Sequence, residues 1–268
     1  MNRSQLLRRI LVSRVETVFS PLELFSGGEL GIWLDPSDLS TMFQDSAGTT
    51  PVTADGDPVG LIQDKSGNGN DASQSSTGLR PLYKTDGALH WLQFDGLGSH
   101  LIVEGSTTTL NFLHNGLGGC TITGVNLPSD STGGMVLSSN ITNTQIGFSI
   151  YIFNSYWRSV VSNGTGVFLI VGNTGNVAVG AQVLTTIHDS SRASDYQVLK
   201  NQNSEFTLNH NGDASLSNAT NNMRIGRRGD SAGVNLNGNI YSMIIVEGVP
   251  SKLNEAENYT ANKTGVTL

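Results

Sequence analysis

Residues 64–71 of this 268-residue chain, DKSGNGND, have the side-chain types that bind calcium in protein loops. Asp64, Asn68 and Asn70 are spaced like the first, fifth and seventh positions of a twelve-residue calcium loop. The twelfth position, where such a loop needs a bidentate glutamate, is Ser75. Asn and Asp side chains that cap their own backbone explain the same residues, so a structural hairpin is the favoured interpretation and calcium the alternative.

The residues that an enzyme would need do not occur in a working arrangement. Retaining glycosidases place two carboxylates about 5 Å apart, often as alternating acids on one strand, and no predicted strand has such a pair. The five histidines have no HxH or HExxH spacing. His188-Asp189-Ser190 brings triad residue types together, but adjacent residues point in different directions and no GxSxG elbow is present. The sequence predicts a non-enzymatic protein without a cofactor.

Glycan binding is the chemistry that the aromatic residues allow. A sugar site combines an aromatic face with polar side chains on nearby loops. Tyr151, Tyr156 and Trp157 lie close together in sequence beside Asn-rich loops, and they are the candidate glycan-binding residues. Trp33 and Trp91 fall in predicted strands and are predicted to be core residues.

The composition favours short strands joined by tight turns. Charged residues make up 14% of the chain, against about 25% in average globular proteins, while glycine occurs 32 times. The net charge of −7 excludes a general affinity for nucleic acid phosphates. The single cysteine, Cys120, excludes an internal disulfide and a Cys-rich zinc site.

The first 20 residues differ in charge from the rest of the chain. Four arginines and one glutamate give them a net charge of +3, so the remaining residues carry −10. Apolar residues recur at helical spacing, which predicts an amphipathic helix that ends at Ser20-Pro21. This helix packs on its own domain or anchors the chain to a partner through Leu7, Arg8, Arg9, Leu11, Arg14 and Val15. A helix on a membrane surface is the less favoured third alternative, because only four basic residues and one aromatic residue are present.

No targeting segment is predicted. The arginines interrupt the apolar run that a signal peptide needs, and no apolar run reaches the ~18 residues of a membrane span. The sequence therefore predicts synthesis in a cytoplasm without a signal peptide.

The rest of the chain has the pattern of an antiparallel sandwich or jelly roll. Short apolar runs alternate with turn dipeptides such as Asn163-Gly164, Asn211-Gly212 and Asn237-Gly238. A short C-terminal helix is predicted from Pro250, with Ser251 as its N-cap and Gly265 as the stop. The predicted strands are 31–35, 58–64, 90–95, 120–125, 134–138, 146–153, 157–161, 166–171, 176–182, 196–200, 205–209, 222–226 and 239–246.

An ordered set of motifs in the first third of the domain resembles one family. The motifs are Trp33-x-Asp35, Phe43-Gln44-Asp45, Thr49-Thr50-Pro51-Val52, Asp64-x-Ser66-Gly67-Asn68-Gly69-Asn70 and Phe94-Asp95-Gly96. Together they resemble the LamG-like jelly-roll domains of the concanavalin A-like lectin and glucanase fold that occur in tailed-phage virion proteins. The resemblance implies two stacked antiparallel sheets, and in some members a concave sheet face binds glycans.

The resemblance also implies a setting and two functions. Residues 22–268 would form the jelly roll and residues 1–21 an anchoring arm. The main expectation is a structural virion protein, either a capsid decoration or a tail or baseplate component, with other virion proteins as partners and a homo-oligomeric arrangement in the particle. The alternative is a carbohydrate-binding module that recognises host surface glycans.

Overall fold

A computed structural model provides the fold. It describes residues 18–128, 133–140, 145–153, 156–165, 167–171, 179–188, 196–201, 203–208, 214–229 and 234–268. Residues 1–17 of the predicted N-terminal helix, with all six of its anchoring residues, lie outside these ranges. Among the described residues, no helix has the length and apolar character needed to cross a membrane.

Antiparallel strands form nearly all of the regular structure. The strands are β1 Gly31–Leu34, β2 Met42–Phe43, β3 Leu61–Ile62, β4 Ala72–Ser73, β5 Leu82–Thr85, β6 His90–Asp95, β7 Leu101–Val103, β8 Gly119–Leu127, β9 Gly133–Ser138, β10 Ile146–Phe153, β11 Tyr156–Asn163, β12 Val167–Val171, β13 Gly180–His188, β14 Tyr196–Lys200, β15 Asn203–Leu208, β16 Met223–Ile225 and β17 Asn237–Glu247. The α-helices are α1 Ser106–Thr109 and α2 Leu253–Thr264, and the 3₁₀ helices are Pro21–Phe25, Leu39–Thr41, Thr77–Leu79 and Asn111–Leu113.

The strands pair into two sheets. Sheet A has eight strands in the order β15-β14-β13-β8-β17-β6-β5, with β1 also paired to β17. Sheet B has nine strands in the order β12-β11-β10-β9-β16-β7-β4-β3-β2. Every strand pairing in the described chain is antiparallel, so the predicted two-sheet jelly-roll sandwich is confirmed.

The main hydrophobic core lies between the two sheets. Alternate residues of facing strands supply it, for example Phe148, Ile150 and Ile152 of β10 and Val125 and Leu127 of β8. These side chains are almost completely buried, and side-chain burial of this kind is the dominant favourable term in folding. The residues between them in sequence therefore point away from the core, and in β10 these include Ser149 and Tyr151.

A second apolar layer covers the outer face of sheet A. Helix α2 packs on β8, β13 and β17, and its Ala256 and Ala261 join Cys120, Ile122 and Ile244 in one buried cluster. Both faces of these strands are therefore covered, which explains the continuous burial along β8 and β17. Sheet B has no α-helix of comparable length on it among the described residues.

Three details of the predicted elements need correction. The predicted strand 58–64 is reduced to Leu61–Ile62, and the strand predicted at 176–182, whose residues 176–178 lie outside the described ranges, extends to His188. The C-terminal helix starts at Leu253 with Lys252 as the N-cap residue rather than Ser251. Its predicted stop is confirmed, since Gly265 adopts the left-handed conformation at the C-cap.

Candidate functional site

The DKSGNGND segment is the connection between β3 and β4. The Asp64 carboxylate accepts hydrogen bonds from Ser66 N at 2.9 Å, Ser66 Oγ at 2.7 Å and Asn70 N at 3.0 Å, and from Trp33 N in β1 at 2.9 Å. Gly67 and Gly69 have φ values of +91° and +73°, a conformation that glycine adopts without strain. These contacts confirm the predicted hairpin and fasten it to β1.

The two asparagines of the calcium candidate also bond to protein groups. Asn68 Nδ2 donates to Glu29 O at 3.2 Å, and Asn70 Nδ2 donates to Gly31 O at 2.8 Å. Thr109 Oγ1 donates to Asn70 Oδ1 at 2.9 Å. Among the described residues, no group of three or more His, Cys, Asp or Glu side chains is placed to hold a metal ion. The structural role of the loop thus explains its composition, and calcium binding stays a prediction.

We expect calcium to leave the thermal stability of the protein unchanged. A site filled at 100 times its dissociation constant would add about 2.7 kcal/mol to stability, which raises the melting temperature by several degrees. Thermal unfolding in excess chelator and in millimolar calcium should therefore give midpoints within about 1 °C of each other. A calcium-dependent increase that Asp64→Asn abolishes would instead establish the loop as a metal site.

A second polar cluster joins β1 to the C-terminal helix. Asp35, whose side chain is 4% exposed, accepts hydrogen bonds from Ser37 Oγ at 2.7 Å and Tyr259 OH at 2.7 Å. Lys263 Nζ approaches its Oδ2 atom to 3.1 Å and Lys65 Nζ to 3.5 Å. Segments distant in sequence therefore meet at one buried carboxylate.

Lys65 has two further partners in this cluster. Its Nζ atom lies 2.6 Å from Asp38 Oδ2 and 4.5 Å from the centroid of the Trp33 ring. The second contact has the geometry of a cation–π interaction. The predicted family motif Trp33-x-Asp35 thus supplies both the ring and the carboxylate that position Lys65.

The environment of this cluster fixes its charges. Burial alone would raise the pKa of Asp35, but hydrogen bonds from Ser37 and Tyr259 and the charges of the two lysines together hold it below its ordinary value. Burial, followed by the charge of Asp35, raises the pKa of Tyr259. At neutral pH the cluster is therefore an ionised Asp35 with a protonated tyrosine, which suits a structural tie rather than acid–base catalysis.

Among the described residues, no α-helix comparable to α2 packs on the outer face of sheet B. Tyr151 in β10 pairs with Arg158 in β11, and both side chains are half-buried on this face. Arg224 in β16 pairs with Ile102 in β7, and these two residues are also half-buried. The four side chains present one aromatic ring, two guanidinium groups and one apolar surface.

Small buried residues lie between these two pairs of larger ones. Arg224 pairs with Ser138 in β9, and Ser138 pairs with Ser149 in β10. Both serines are at most 3% exposed, and Asn140 lies against Ser138 because its backbone N donates to the serine Oγ at 3.3 Å. The larger side chains thus flank a row of small buried serines, and this strip of the outer face is called the serine-floored groove below.

A buried histidine extends this face beyond β16. His100 precedes β7, and its Nδ1 lies 2.8 Å from Gly98 O and its Nε2 3.1 Å from Gln74 Nε2. Burial lowers the pKa of His100, and the nearby charges of Arg227 and Arg224 lower it further. The histidine is therefore neutral at pH 7, and the positive charge of this region comes from the arginines.

The structure separates the three aromatic residues that the sequence assigned to glycan binding. Tyr151 lies on the outer face of sheet B, as a glycan-binding role requires. Trp157 is only 7% exposed, belongs to the core between the sheets and donates from Nε1 to Gln182 Oε1 of sheet A at 3.2 Å. Trp157 is therefore corrected from a sugar-stacking residue to a core residue. The side chain of Tyr156 lies outside the described part of the structure.

The sequence analysis missed the two arginines of this face. Arg224 lies between the buried residues Met223 and Ile225, and Arg158 follows the buried Trp157. Strand alternation therefore carried the signal that both arginines point outward. The alternation alone does not say which of the two sheet faces is left open.

Comparisons with solved structures show the same fold. Trypanosoma rangeli sialidase in complex with sialic acid is similar over 90% of this chain and 33% of its own, at a TM-score of 0.53 and 12% identity. The receptor binding domain of botulinum neurotoxin C/D mosaic serotype is similar over 88% of this chain and 52% of its own, at a TM-score of 0.55 and 9% identity. The chain thus spans between a third and about half of these proteins.

Comparisons by sequence give no assignment. No family model matches the chain, and no curated protein matches it either. At the identities above, structural similarity shows a jelly-roll sandwich fold and nothing finer.

Proposed function

We propose that this chain is a non-enzymatic carbohydrate-binding domain that holds a glycan in the serine-floored groove of sheet B. The observation that carries the proposal is the asymmetry of the sandwich. Helix α2 covers the outer face of sheet A, whereas the outer face of sheet B presents Tyr151, Arg158 and Arg224 around the serine floor.

The chemistry of the groove suits a sugar. The Tyr151 ring offers a flat apolar surface to the C–H face of a pyranose, and its hydroxyl group can bond to a sugar hydroxyl. The guanidinium groups of Arg158 and Arg224 supply donors in a planar, fixed arrangement. The side chains that define the groove include no carboxylate, so they do not provide the pair of acids that glycoside hydrolysis requires.

The neighbouring structures support the same class of function. One is a sialidase in complex with sialic acid and another is a toxin receptor binding domain. The resemblance to LamG-like domains also implies glycan binding on a sheet face in some members. These similarities favour binding of surface carbohydrate over a purely structural role.

We expect Tyr151→Ala and Arg158→Ala each to weaken glycan binding by about five- to tenfold. Loss of one aromatic or charged contact of this kind removes about 1 kcal/mol or somewhat more. The full chain is screened on a glycan array, and the variants are then titrated with the best ligand.

Lys84→Ala is the matched control for this experiment. Lys84 lies on β5 in sheet A, where it forms an ion pair with Asp55, and its removal should leave glycan affinity unchanged. If no glycan is retained by the wild-type chain, or if Lys84→Ala weakens binding as much as Tyr151→Ala does, the groove is not the site.

The virion setting stays a prediction from the family resemblance. A carbohydrate-binding domain is compatible with a phage tail, fibre or capsid surface. Recovery of the chain in purified tailed-phage particles by mass spectrometry would support the setting, and labelling with antibody in electron micrographs would place it on capsid or tail.

A further inference from the structure

The charged residues in the strands of sheet B are all arginines. The nine described strands of this sheet contain only two charged residues, Arg158 in β11 and Arg224 in β16. Both lie on the outer face, because their sequence neighbours Trp157, Met223 and Ile225 belong to the core between the sheets. The strands of sheet A, in contrast, carry both acidic and basic residues. The strands of the face proposed to bind a glycan therefore carry positive charge only, although the chain as a whole carries −7.

The strand register places Tyr151 between the two arginines. Arg158 is the direct cross-strand partner of Tyr151, and the Cβ atoms of such a pair are about 5 Å apart. Arg224 lies two strands away on the other side of Tyr151. Two strand spacings and two residues along the strands put the Cα atoms of Tyr151 and Arg224 about 12 Å apart. A sugar ring on Tyr151 therefore has a guanidinium-bearing side chain on each side of it.

The carboxylate of Glu104 lies on the far side of Arg224. Glu104 follows β7 and accepts a hydrogen bond from Asn222 Nδ2 at 2.5 Å. Strands β10 and β16 run in the same direction, since both are antiparallel to β9. Relative to the row that contains Arg224, Tyr151 is displaced toward the C-terminal ends of β10 and β16, and Asn222 toward their N-terminal ends. An anion between Tyr151 and Arg224 is thus directed away from Glu104.

A third arginine adds positive charge near the end of β16. Arg227 comes two residues after this strand. Burial is the main cause of the low pKa of His100, and the charges of Arg227 and Arg224 lower it further. Both arginines are therefore close to the neutral His100, and positive charge extends from β11 to the end of β16.

We propose that the glycan bound at this face is acidic and that its carboxylate or sulfate groups pair with Arg158 and Arg224. The inference rests on the proposed function, since it concerns the same site. A guanidinium group has five N–H donors in a planar fork, so each arginine can keep a protein partner and still donate two hydrogen bonds to an acidic group. Such charge-assisted bonds are roughly twice as strong as neutral ones. The charge of the glycan therefore determines its selection more than the shape of the ring does.

A glycan array with matched acidic and neutral oligosaccharides tests the proposal. Each oligosaccharide with carboxylate or sulfate groups is printed beside a counterpart in which the carboxylates are reduced to alcohols or the sulfates are removed. We expect the wild-type chain to bind the acidic form about tenfold more tightly than its neutral counterpart, because one hydrogen-bonded charge contributes that much. The pairs that show the preference distinguish a carboxylate ligand from a sulfate ligand.

Two substitutions of Arg224 separate its role in binding from a role in the fold. Arg224→Gln should weaken binding of the best acidic glycan about tenfold and leave binding of its neutral counterpart unchanged. Arg224→Lys keeps the charge but loses the bidentate geometry, so it should weaken binding of the acidic glycan only about threefold. Lys84→Gln is the matched control, because it changes the net charge by the same amount in sheet A, where Lys84 pairs with Asp55. It should keep the wild-type preference for the acidic form.

The outcomes distinguish this inference from the proposed function. If no glycan of either kind is retained, the proposed function fails and this inference fails with it. If neutral glycans bind as tightly as acidic ones, the face binds carbohydrate but the inference is wrong. Equal weakening of acidic and neutral glycans by Arg224→Gln would also overturn it, because the arginine would then support the fold of the site and not bind the charge.

Discussion

We expect Asp35→Ala to lower the free energy of unfolding by about 3 kcal/mol, the largest effect of any substitution proposed for this protein. The substitution removes the shared acceptor of Ser37, Tyr259, Lys65 and Lys263. The side chains of Lys65 and Lys263 are 21% and 26% exposed, so water can solvate their charges in part once Asp35 is removed. The expected loss of stability therefore lies at the lower end of the range for a broken buried ion pair. Denaturant unfolding followed by tryptophan fluorescence measures the change, and Trp33 provides a reporter in contact with Lys65.

Asp38→Asn is the matched control for this prediction, because asparagine removes the charge and keeps the N-cap acceptor for Ser40 N. Asp38 pairs with the same Lys65 at a shorter distance, 2.6 Å, but its side chain is 34% exposed against 4% for Asp35. Exposed ion pairs contribute about 0 to 1 kcal/mol, so the control should lose less than a third of the stability that Asp35→Ala loses. Equal losses in the two variants would show that the burial of Asp35 does not determine its contribution to the free energy of unfolding.

The strands that the sequence predicted best are those whose signals are local. His90–Asp95, Ile146–Phe153 and Tyr196–Lys200 are observed with the bounds predicted. Alternating or apolar runs of suitable length bounded by turn residues were enough to define them. The hairpin at residues 64–71 was predicted for the same reason, since its glycines and Asx side chains organise their own backbone.

The errors occurred where distant segments decide the structure. Strand β13 extends to His188 because both of its faces are covered, and Thr185 Oγ1 donates to the buried Glu257 of α2 at 2.6 Å. Helix α2 itself begins at Leu253 without a side-chain N-cap bond, because packing of Ala256 and Ala261 on sheet A stabilises it instead of a cap. A local pattern contains none of these contacts.

The candidate glycan site was predicted only in part for a related reason. Neighbouring residues of a strand point to opposite faces, and a shift of one residue exchanges the buried and exposed sets. The sequence placed Trp157 and Tyr151 on the same surface, whereas Trp157 is in the core and Tyr151 is on the outer face. The sequence does not show on which sheet α2 packs. It therefore does not identify Arg158 and Arg224, on the outer face of the other sheet, as candidates.

Acidification is expected to destabilise the protein well above the pH at which carboxylates titrate, because of His188. His188 is buried between the sheets, and the centroids of its ring and of the Phe148 ring are 4.7 Å apart. Its Nε2 atom lies 3.3 Å from Thr186 Oγ1 and 3.5 Å from Ser159 Oγ. Burial lowers its pKa from 6.5 to about 3. The folded state therefore favours the neutral ring.

The sign of the effect follows from proton uptake. Below pH 6.5 the unfolded chain binds a proton at His188 that the folded chain does not bind, so stability is fully present above this pH and falls as the pH is lowered. At about 1.4 kcal/mol per pH unit, the step from pH 6.5 to 5.0 costs about 2 kcal/mol. Burial lowers the pKa of His100 and His114 as well, which adds to the loss in the same direction.

His188→Gln isolates this contribution from the others. The variant should lose stability at pH 7, but its free energy of unfolding should decrease with acid by about 2 kcal/mol less than that of the wild type between pH 6.5 and 5.0. Ile225→Val, which removes one methylene group from the same inter-sheet core, should cost about 1 kcal/mol at every pH and leave the slope unchanged. Denaturant unfolding at a series of pH values provides the comparison. A wild-type slope that His188→Gln does not reduce would mean that the ring is protonated in the folded state or accessible to water.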